Sequence, residues 1–232
     1  MAIDPADGRP WILLPGTLCS GRIFGAFLDH LGVPDTVRRP FVLRHPRIED
    51  YREPLTAACT DNAVVCGFSL GAIVAAHLAD QLPARAFLLF GLNPYADRPA
   101  MRDGRLDLAR DVGDVGGTAA LAARLPVLAG PDRERARSLI LDMADDTADH
   151  IGAQTELALT RPGALDVLAR TQAPVGLFTG SQDMSAPFAM AEAAAGAAPS
   201  GRLMPLNGLG HYALVEDPLA CRAAVQDFFA IC

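Results

Sequence analysis

A serine between two glycines joins two apolar runs in the first third of the chain. Residues 63–66 form a short apolar run, residues 72–79 are apolar and rich in alanine, and Gly67-Phe68-Ser69-Leu70-Gly71 lies between them. This order predicts a strand, a tight turn and a helix. A serine at such a turn adopts an unusual backbone conformation, so the residues two positions away must be small. Gly67 and Gly71 meet that requirement.

The predicted turn would expose a reactive hydroxyl. It lifts the Ser69 hydroxyl above the sheet edge and points the Leu70 N–H, at the start of a helix, toward negative charge that develops beside it. We therefore interpret the turn as a nucleophile elbow. The alternative is an ordinary glycine-flanked turn in which Ser69 caps the helix. The strand and helix on either side favour the elbow.

Polar or glycine-rich loops follow three further apolar runs. Gly16-Thr17-Leu18 comes after residues 11–14, Asp183 comes after residues 175–179, and His211 comes after residues 202–206. In open parallel sheets, ligands bind outside the carboxyl ends of the strands, because loops and helix N-termini gather there. We expect these residues to lie near Ser69.

Together these residues could perform nucleophilic catalysis. The Ser69 hydroxyl needs a base to accept its proton, and an imidazole such as that of His211 needs a carboxylate to fix its tautomer and stabilise its cation. Asp183 is the preferred carboxylate. Asp97, which follows a further predicted strand over residues 86–90, is the alternative.

The charged residues exclude several classes of function. The chain has 20 basic and 27 acidic residues, a net charge of −7, and all of its basic residues are arginine. No basic cluster interleaved with aromatic residues occurs, so nucleic acid is not an expected partner. The absence of lysine excludes a Walker-A lysine, a Schiff-base enzyme of the pyridoxal type and a catalytic Ser–Lys pair.

The cysteines show no paired spacing and no metal-ligand pattern. There are five of them, at positions 19, 59, 66, 221 and 232. We expect free thiols in a reducing cytoplasm, with no metal and no cofactor.

The N-terminus does not resemble a signal peptide, and no apolar stretch is long enough to span a membrane.

The pattern of apolar runs predicts an α/β fold with a doubly wound, mostly parallel sheet. Residues 1–94 and 174–232 are expected to form its core. Residues 36–41 are expected to form a more exposed strand, whose proline is tolerated only near an edge or an end. A helix with a break or kink at Pro54 is expected over 48–59.

Residues 95–173 contain only helical patterns and are expected to form a lid, rather than a separate helical bundle. Seven of their apolar residues should mostly pack against the core, with a minority contacting substrate: Leu121, Leu125, Val127, Leu128, Leu139, Ile140 and Met143.

Three segments resemble motifs of the α/β-hydrolase fold superfamily. They are Gly67-Phe68-Ser69-Leu70-Gly71, Gly180-Ser181-Gln182-Asp183, and Gly210-His211-Tyr212 followed by Glu216-Asp217-Pro218. The resemblance implies an oxyanion hole formed by the Leu70 N–H with that of Thr17 or Leu18. Pro15 stands where members often carry His before Gly. It also implies that the family's leading antiparallel strands are reduced here.

The lid and the compact length look most like small esterases and thioesterase-like enzymes, such as pimeloyl-carrier methyl ester esterases and menaquinone-pathway enzymes. The resemblance implies a serine hydrolase that cleaves an ester or thioester of a small metabolite or carrier-bound acyl group through an acyl-enzyme. An acyltransferase or cyclase, or a carbon–carbon bond hydrolase, could use the same residues. A ligand-binding protein that retains the fold without catalysis is a further alternative.

Overall fold

The computed structural model describes residues 4–5, 7–60 and 62–232. Six parallel strands form one sheet in the order β2-β1-β3-β4-β5-β6. The strands are β1 (Trp11–Leu14), β2 (Arg38–Pro40), β3 (Ala63–Phe68), β4 (Ala84–Phe90), β5 (Val175–Gly180) and β6 (Gly201–Leu206). The six strands predicted from the sequence are thus confirmed. In the described part of the chain the sheet contains no antiparallel pair.

The burial of each strand explains its composition. Every residue of β1, β3 and β5 is buried, as expected for strands covered on both faces. The edge strand β2 is mostly exposed, and Pro40 is its last residue. A proline has no N–H to donate to a neighbouring strand, and it is tolerated in β2 because an edge strand has a neighbour on one side only.

Eleven α-helices connect and cover the strands in the described residues. They are α1 (Gly25–Leu31), α2 (Arg52–Ala58), α3 (Leu70–Leu78), α4 (Arg102–Val115), α5 (Gly117–Ala122), α6 (Arg133–Asp146), α7 (Ile151–Thr160), α8 (Leu165–Leu168), α9 (Phe188–Ala197), α10 (Ala213–Glu216) and α11 (Pro218–Ala230). Short 3-10 turns precede α1, α2, α4 and α7.

Alternating strand residues build two hydrophobic cores, one on each face of the sheet. Val65 and Phe87 face the core that contains α2, α3, α8 and α9. Val64 and Leu88 face the core that contains α1 and α11. Because helices cover both faces, the predicted α/β doubly wound architecture is confirmed.

The sequence predicts a break or kink at Pro54, but the structure changes from a 3-10 turn to an α-helix before Pro54, at Arg52. Residues Ile48–Tyr51 form a 3-10 turn, and α2 begins at Arg52. Pro54 is therefore the third residue of α2. In the first turn of a helix the backbone N–H has no intrahelical partner, so a proline costs little and need not bend the helix.

The segment 95–173 connects β4 to its neighbour β5 and contains only helical elements, α4 to α8. It has a small core of its own, which includes Val112, Ile140 and Ile151 and also takes in Leu18 from the loop after β1. No helix in the described residues is long and apolar enough to cross a membrane.

Candidate active site

Ser69 occupies a strained turn between β3 and α3. Its backbone has φ 51° and ψ −114°, in the positive-φ region that residues other than glycine rarely adopt. Backbone atoms of other residues lie close to the two glycines that flank this turn. A Cβ on Gly67 would lie 2.6 Å from Ala72 Cα, and one on Gly71 would overlap the Leu14 carbonyl. A side chain at either position would therefore collide with backbone atoms.

His211 and Asp183 complete a chain of hydrogen bonds that begins at Ser69. The Ser69 Oγ lies 3.0 Å from His211 Nε2, and His211 Nδ1 lies 2.8 Å from Asp183 Oδ2. With a proton on Nδ1, the imidazole donates to Asp183 and accepts from the Ser69 hydroxyl. The structure therefore brings together these three residues, which we call the triad, from loops after β3, β5 and β6.

The second carboxylate oxygen of Asp183 is also occupied. Oδ1 accepts hydrogen bonds from the Ser185 and Ala186 N–H groups, both at 2.8 Å. The residue is 4% exposed. These contacts fix the carboxylate so that Oδ2 faces the imidazole, as needed to orient it.

Asp97, the alternative carboxylate, pairs elsewhere. Its oxygens accept hydrogen bonds from Arg105 Nε and Nη2 at 2.9 and 2.8 Å, and Arg161 Nη1 lies 3.1 Å away. Burial by itself would raise the pKa of Asp97, but the hydrogen bonds and charge of Arg105 and the charge of Arg161 hold it below its usual value. Asp97 is thus an ionised partner of two arginines and not of His211.

The two candidate oxyanion donors after β1 differ in their surroundings. Thr17 lines the cavity beside Ser69 together with Leu70, the first residue of α3. Leu18 has φ 53°, its side chain is fully buried, and its N–H donates to Gln154 Oε1 at 3.0 Å. Because the Leu18 N–H already has a buried partner, Thr17 is the better placed of the two.

Sequence reasoning missed Gly91, which follows β4 and lies against the triad. It has φ +59°, and a Cβ there would lie 2.9 Å from His211 Cε1 and 3.5 Å from Asp183 Oδ2. The glycine at the end of an apolar strand was visible in the sequence. Its distance from His211, which is 120 positions away in the numbering, was not.

Glu216 supports the loop that carries His211. It is buried, and its Oε2 accepts a hydrogen bond from the Gly210 N–H at 2.5 Å. Burial raises the pKa of Glu216, although the hydrogen bonds from the Gly210 and Ala129 N–H groups act in the opposite direction. The sequence motif contained this residue, but its contact with Gly210 depends on the fold.

A cavity of about 390 Å³ opens beside Ser69. The core contributes residues that include the triad members Ser69 and His211, and the loop after β5 contributes residues 184–187. Segment 95–173 contributes Asp97, Arg98, Met101, Arg105, Ala158 and Arg161. None of the seven apolar residues singled out in this segment lines the cavity. Most pack among the helices instead, such as the fully buried Ile140, whereas Val127 is 90% exposed.

Two cysteines near the site are unsuited to nucleophilic attack. Burial raises the pKa of Cys19 to about 12 and raises that of Cys66 further, so both remain neutral thiols at physiological pH. Cys19, Cys66, Cys221 and Cys232 are free thiols. The nucleophile with a base at hydrogen-bond distance is the Ser69 hydroxyl.

This arrangement is suited to acyl substitution. A strained, half-buried serine has a base within reach, the base has a fixed carboxylate, and Leu70, the first residue of a helix, lines the same cavity. These are the parts needed to attack a carbonyl carbon and to stabilise the resulting oxyanion.

This chain is similar in sequence to a known esterase and in fold to several solved structures. The chain is 28% identical to a pimeloyl-[acyl-carrier protein] methyl ester esterase of Aromatoleum aromaticum, over 93% of this chain and 96% of that protein. An esterase structure from Thermogutta terrifontis matches with a TM-score of 0.81 and 19% identity, over 96% of this chain and 90% of that one. An enol-lactonase structure from Burkholderia xenovorans LB400 matches with a TM-score of 0.77 and 19% identity, over 96% of this chain and 92% of that one.

The family model described as the alpha/beta hydrolase family matches residues 6–224, which is nearly the whole length. Fold, local turn geometry and sequence similarity agree over the same residues. The chain belongs to the alpha/beta hydrolase family.

Proposed function

We propose that this protein is a serine hydrolase that cleaves a carboxylic ester or thioester of a small metabolite or carrier-bound acyl group through an acyl-enzyme. The observation that carries the proposal is the continuous hydrogen-bonded path from Ser69 Oγ through His211 to Asp183, with distances of 3.0 and 2.8 Å. Such a path activates a serine that would otherwise be a poor nucleophile.

In the first step, Ser69 Oγ attacks the substrate carbonyl carbon while His211 Nε2 accepts the hydroxyl proton. Asp183 stabilises the imidazolium that forms and keeps its Nδ1–H in place. His211 then donates the proton to the leaving alcohol or thiol, which departs and leaves an acyl group on Ser69. In the second step water attacks this acyl group, His211 takes its proton, and Ser69 regains its hydroxyl as the acid is released.

The negative charge on the carbonyl oxygen in both steps is assigned to two backbone donors. The Leu70 N–H lies at the start of α3, where the helix dipole favours an anion. The Thr17 N–H is the second donor, because the Leu18 N–H is held by Gln154. A single donor of this kind typically contributes about 10²–10³ to the rate.

The ester substrate class is supported by the similarity to a pimeloyl-[acyl-carrier protein] methyl ester esterase. That protein is named for an ester of a carrier-bound acyl group, and at 28% identity we carry over the bond type and not the acyl group. A cytoplasmic location is part of the proposal and is supported by the free thiols of Cys19, Cys66, Cys221 and Cys232.

We assign the core to 1–94 and 174–232 and a lid to 95–173. Residues at the two ends of this segment, Asp97 to Arg105 and Ala158 to Arg161, supply the cavity wall that faces the core. In this assignment the middle of the segment builds the lid's own core and its ends contact the substrate. Met101→Ala should then alter the ranking of acyl chain lengths, whereas the exposed Val127→Ala should not.

A fluorophosphonate probe tests the proposed function. It should label the wild-type protein at Ser69 and fail to label Ser69→Ala, whereas Ser138→Ala, an exposed serine on α6, should label normally. Turnover of short p-nitrophenyl esters and acyl thioesters should fall by at least about 10⁴ in Ser69→Ala. Absence of labelling and of turnover in the wild type would indicate a ligand-binding protein. Transfer of the acyl group to an added alcohol or amine in preference to water would indicate an acyltransferase.

A further inference from the structure

The cavity beside Ser69 has an unusual concentration of positive charge on its lid side. Arg98, Arg105 and Arg161, which we call the guanidinium cluster, line it together with one carboxylate, that of Asp97. The first two come from the start of the lid and the third from the end of α7. Three cations and one anion leave this wall with a net positive charge.

The carboxylate of Asp97 is already shared between two members of the cluster. Arg105 binds both of its oxygens, and Arg161 Nη1 lies 3.1 Å from Oδ1. Because Arg105 and Arg161 hold the pKa of Asp97 low, it is ionised at neutral pH and offsets one of the two charges. The other positive charge of the Arg105 and Arg161 pair is not offset, because the described residues that line the cavity include no second carboxylate.

Donors in the guanidinium cluster remain unused. Arg161 is 3% exposed, and its Nη2 has no hydrogen-bond partner in the described residues, although its Nε donates to the Tyr95 carbonyl at 3.3 Å. Arg98 is exposed at the cavity and makes none of the ion pairs or side-chain hydrogen bonds found over the described ranges 4–5, 7–60 and 62–232. An arginine that lines a cavity without a partner is available to a ligand.

We propose that the substrate carries a carboxylate in the part of the molecule that does not react, and that the guanidinium cluster binds it while Ser69 attacks the ester or thioester carbonyl. Arg98 and Arg105 contact the substrate carboxylate. The buried Arg161 contributes positive charge without direct contact and binds Asp97. A guanidinium presents paired N–H donors that match the two oxygens of a carboxylate. Arginines on the wall of a cleft also concentrate anions there.

This inference rests on the proposed function and narrows its substrate class. The cavity of about 390 Å³ contains both Ser69 and the guanidinium cluster, so the anionic group and the scissile carbonyl belong to one small molecule or to one end of a larger one. Monoesters of short dicarboxylic acids meet this description. Esters whose leaving alcohol bears the carboxylate also meet it.

Matched pairs of esters test the proposal and distinguish the two sources of the carboxylate. On the acyl side, mono-p-nitrophenyl glutarate is compared with p-nitrophenyl valerate. On the leaving side, 4-(butanoyloxy)benzoate is compared with its methyl ester. The rate without enzyme is subtracted, because a neighbouring carboxylate accelerates spontaneous hydrolysis of the glutarate. We expect one anionic ester to exceed its uncharged partner in kcat/KM by about tenfold or more, the effect of one charge-assisted hydrogen bond.

Variants on the lid then locate the source of the preference. Arg98→Gln and Arg105→Gln should each lower the ratio of kcat/KM for the preferred anionic ester to that for its uncharged partner by about tenfold. Arg102→Gln is the control, because Arg102 lies in the same stretch, is exposed and carries the same charge, but does not line the cavity. It should leave the ratio unchanged.

Two results would overturn the proposal. In the first, neither anionic ester is preferred although the fluorophosphonate labels Ser69, which leaves the serine hydrolase intact and removes the carboxylate site. In the second, Arg102→Gln lowers the ratio as much as Arg98→Gln, which attributes the preference to diffuse surface charge. Failure of the proposed function would differ from both, since neither labelling nor turnover of any ester would occur.

Discussion

Gln154 and Leu18 are joined by a buried hydrogen bond between α7, in the segment 95–173, and the loop after β1. The Leu18 N–H donates to Gln154 Oε1 at 3.0 Å, and Gln154 Nε2 donates to the Leu43 carbonyl at 3.2 Å. Gln154 is 2% exposed, and Leu18 has the strained φ of 53°. One amide thus contacts the turn next to Thr17, a residue that lines the cavity.

Gln154→Leu should lower kcat by about 10- to 100-fold with a smaller change in KM. Leucine fills the same space but leaves the Leu18 N–H buried without an acceptor, so the turn can shift and the oxyanion donor at Thr17 is displaced. Steady-state kinetics with a p-nitrophenyl ester measure this, alongside Gln172→Leu as an exposed control. An unchanged kcat in Gln154→Leu would show that the turn keeps its position without the amide.

Asp183→Asn and Asp97→Asn should have opposite signatures. Asp183→Asn should lower kcat by about 10⁴ with little loss of stability, because an amide favours the wrong tautomer of His211. Asp97→Asn should act mainly on folding. Its carboxylate is 5% exposed between Arg105 and Arg161, and its loss leaves two neighbouring cations, at a cost of up to about 3 kcal/mol.

Urea denaturation and turnover, measured on both aspartate variants, separate the two effects. The assignment of Asp183 would be wrong if Asp97→Asn caused the larger loss of kcat while the protein stayed folded.

Gly91→Ala should impair catalysis more than it impairs folding. The new Cβ would lie 2.9 Å from His211 Cε1 and would displace the imidazole, in addition to the strain of about 1 kcal/mol that alanine incurs at φ +59°. Gly208→Ala is a matched control, because Gly208 has φ +77° but nothing within 4 Å of the added Cβ. Both variants should lose similar stability, and only Gly91→Ala should lose kcat. Equal activity in the two would mean that His211 tolerates the contact.

Glu216→Gln should change the pH dependence of stability. Burial raises the pKa of Glu216, so the folded protein binds this proton more tightly than the unfolded chain. The contribution of Glu216 to the free energy of unfolding is therefore largest below its unfolded pKa of about 4.3, and it decreases as the pH rises through the higher folded-state pKa.

Urea denaturation of wild type and Glu216→Gln between pH 4 and pH 7 measures this difference. The wild type should lose stability relative to the variant as the pH rises. Parallel curves over the whole range would exclude a raised pKa for Glu216.

The local features of the fold were predictable because neighbouring residues determine them. The continuous apolar runs identified the buried strands, and Pro40 favoured an edge or an end for the more exposed β2. Gly67 and Gly71 identified the turn at Ser69, since only glycine tolerates such close backbone contacts. The loops after β5 and β6 supplied Asp183 and His211 as candidates, because parallel strands bring their carboxyl ends to one edge.

The sequence alone therefore yielded a set of candidate residues, and contacts between residues far apart in the chain distinguish them. Asp97 pairs with Arg105 and Arg161 and not with His211, and the Leu18 N–H donates to Gln154, which lies 136 positions away. The cavity is lined by charged residues of segment 95–173 and by none of the seven apolar candidates in that segment. These outcomes depend on distances between residues far apart in the chain, and such distances are set by how the elements pack and not by the periodicity within any one of them.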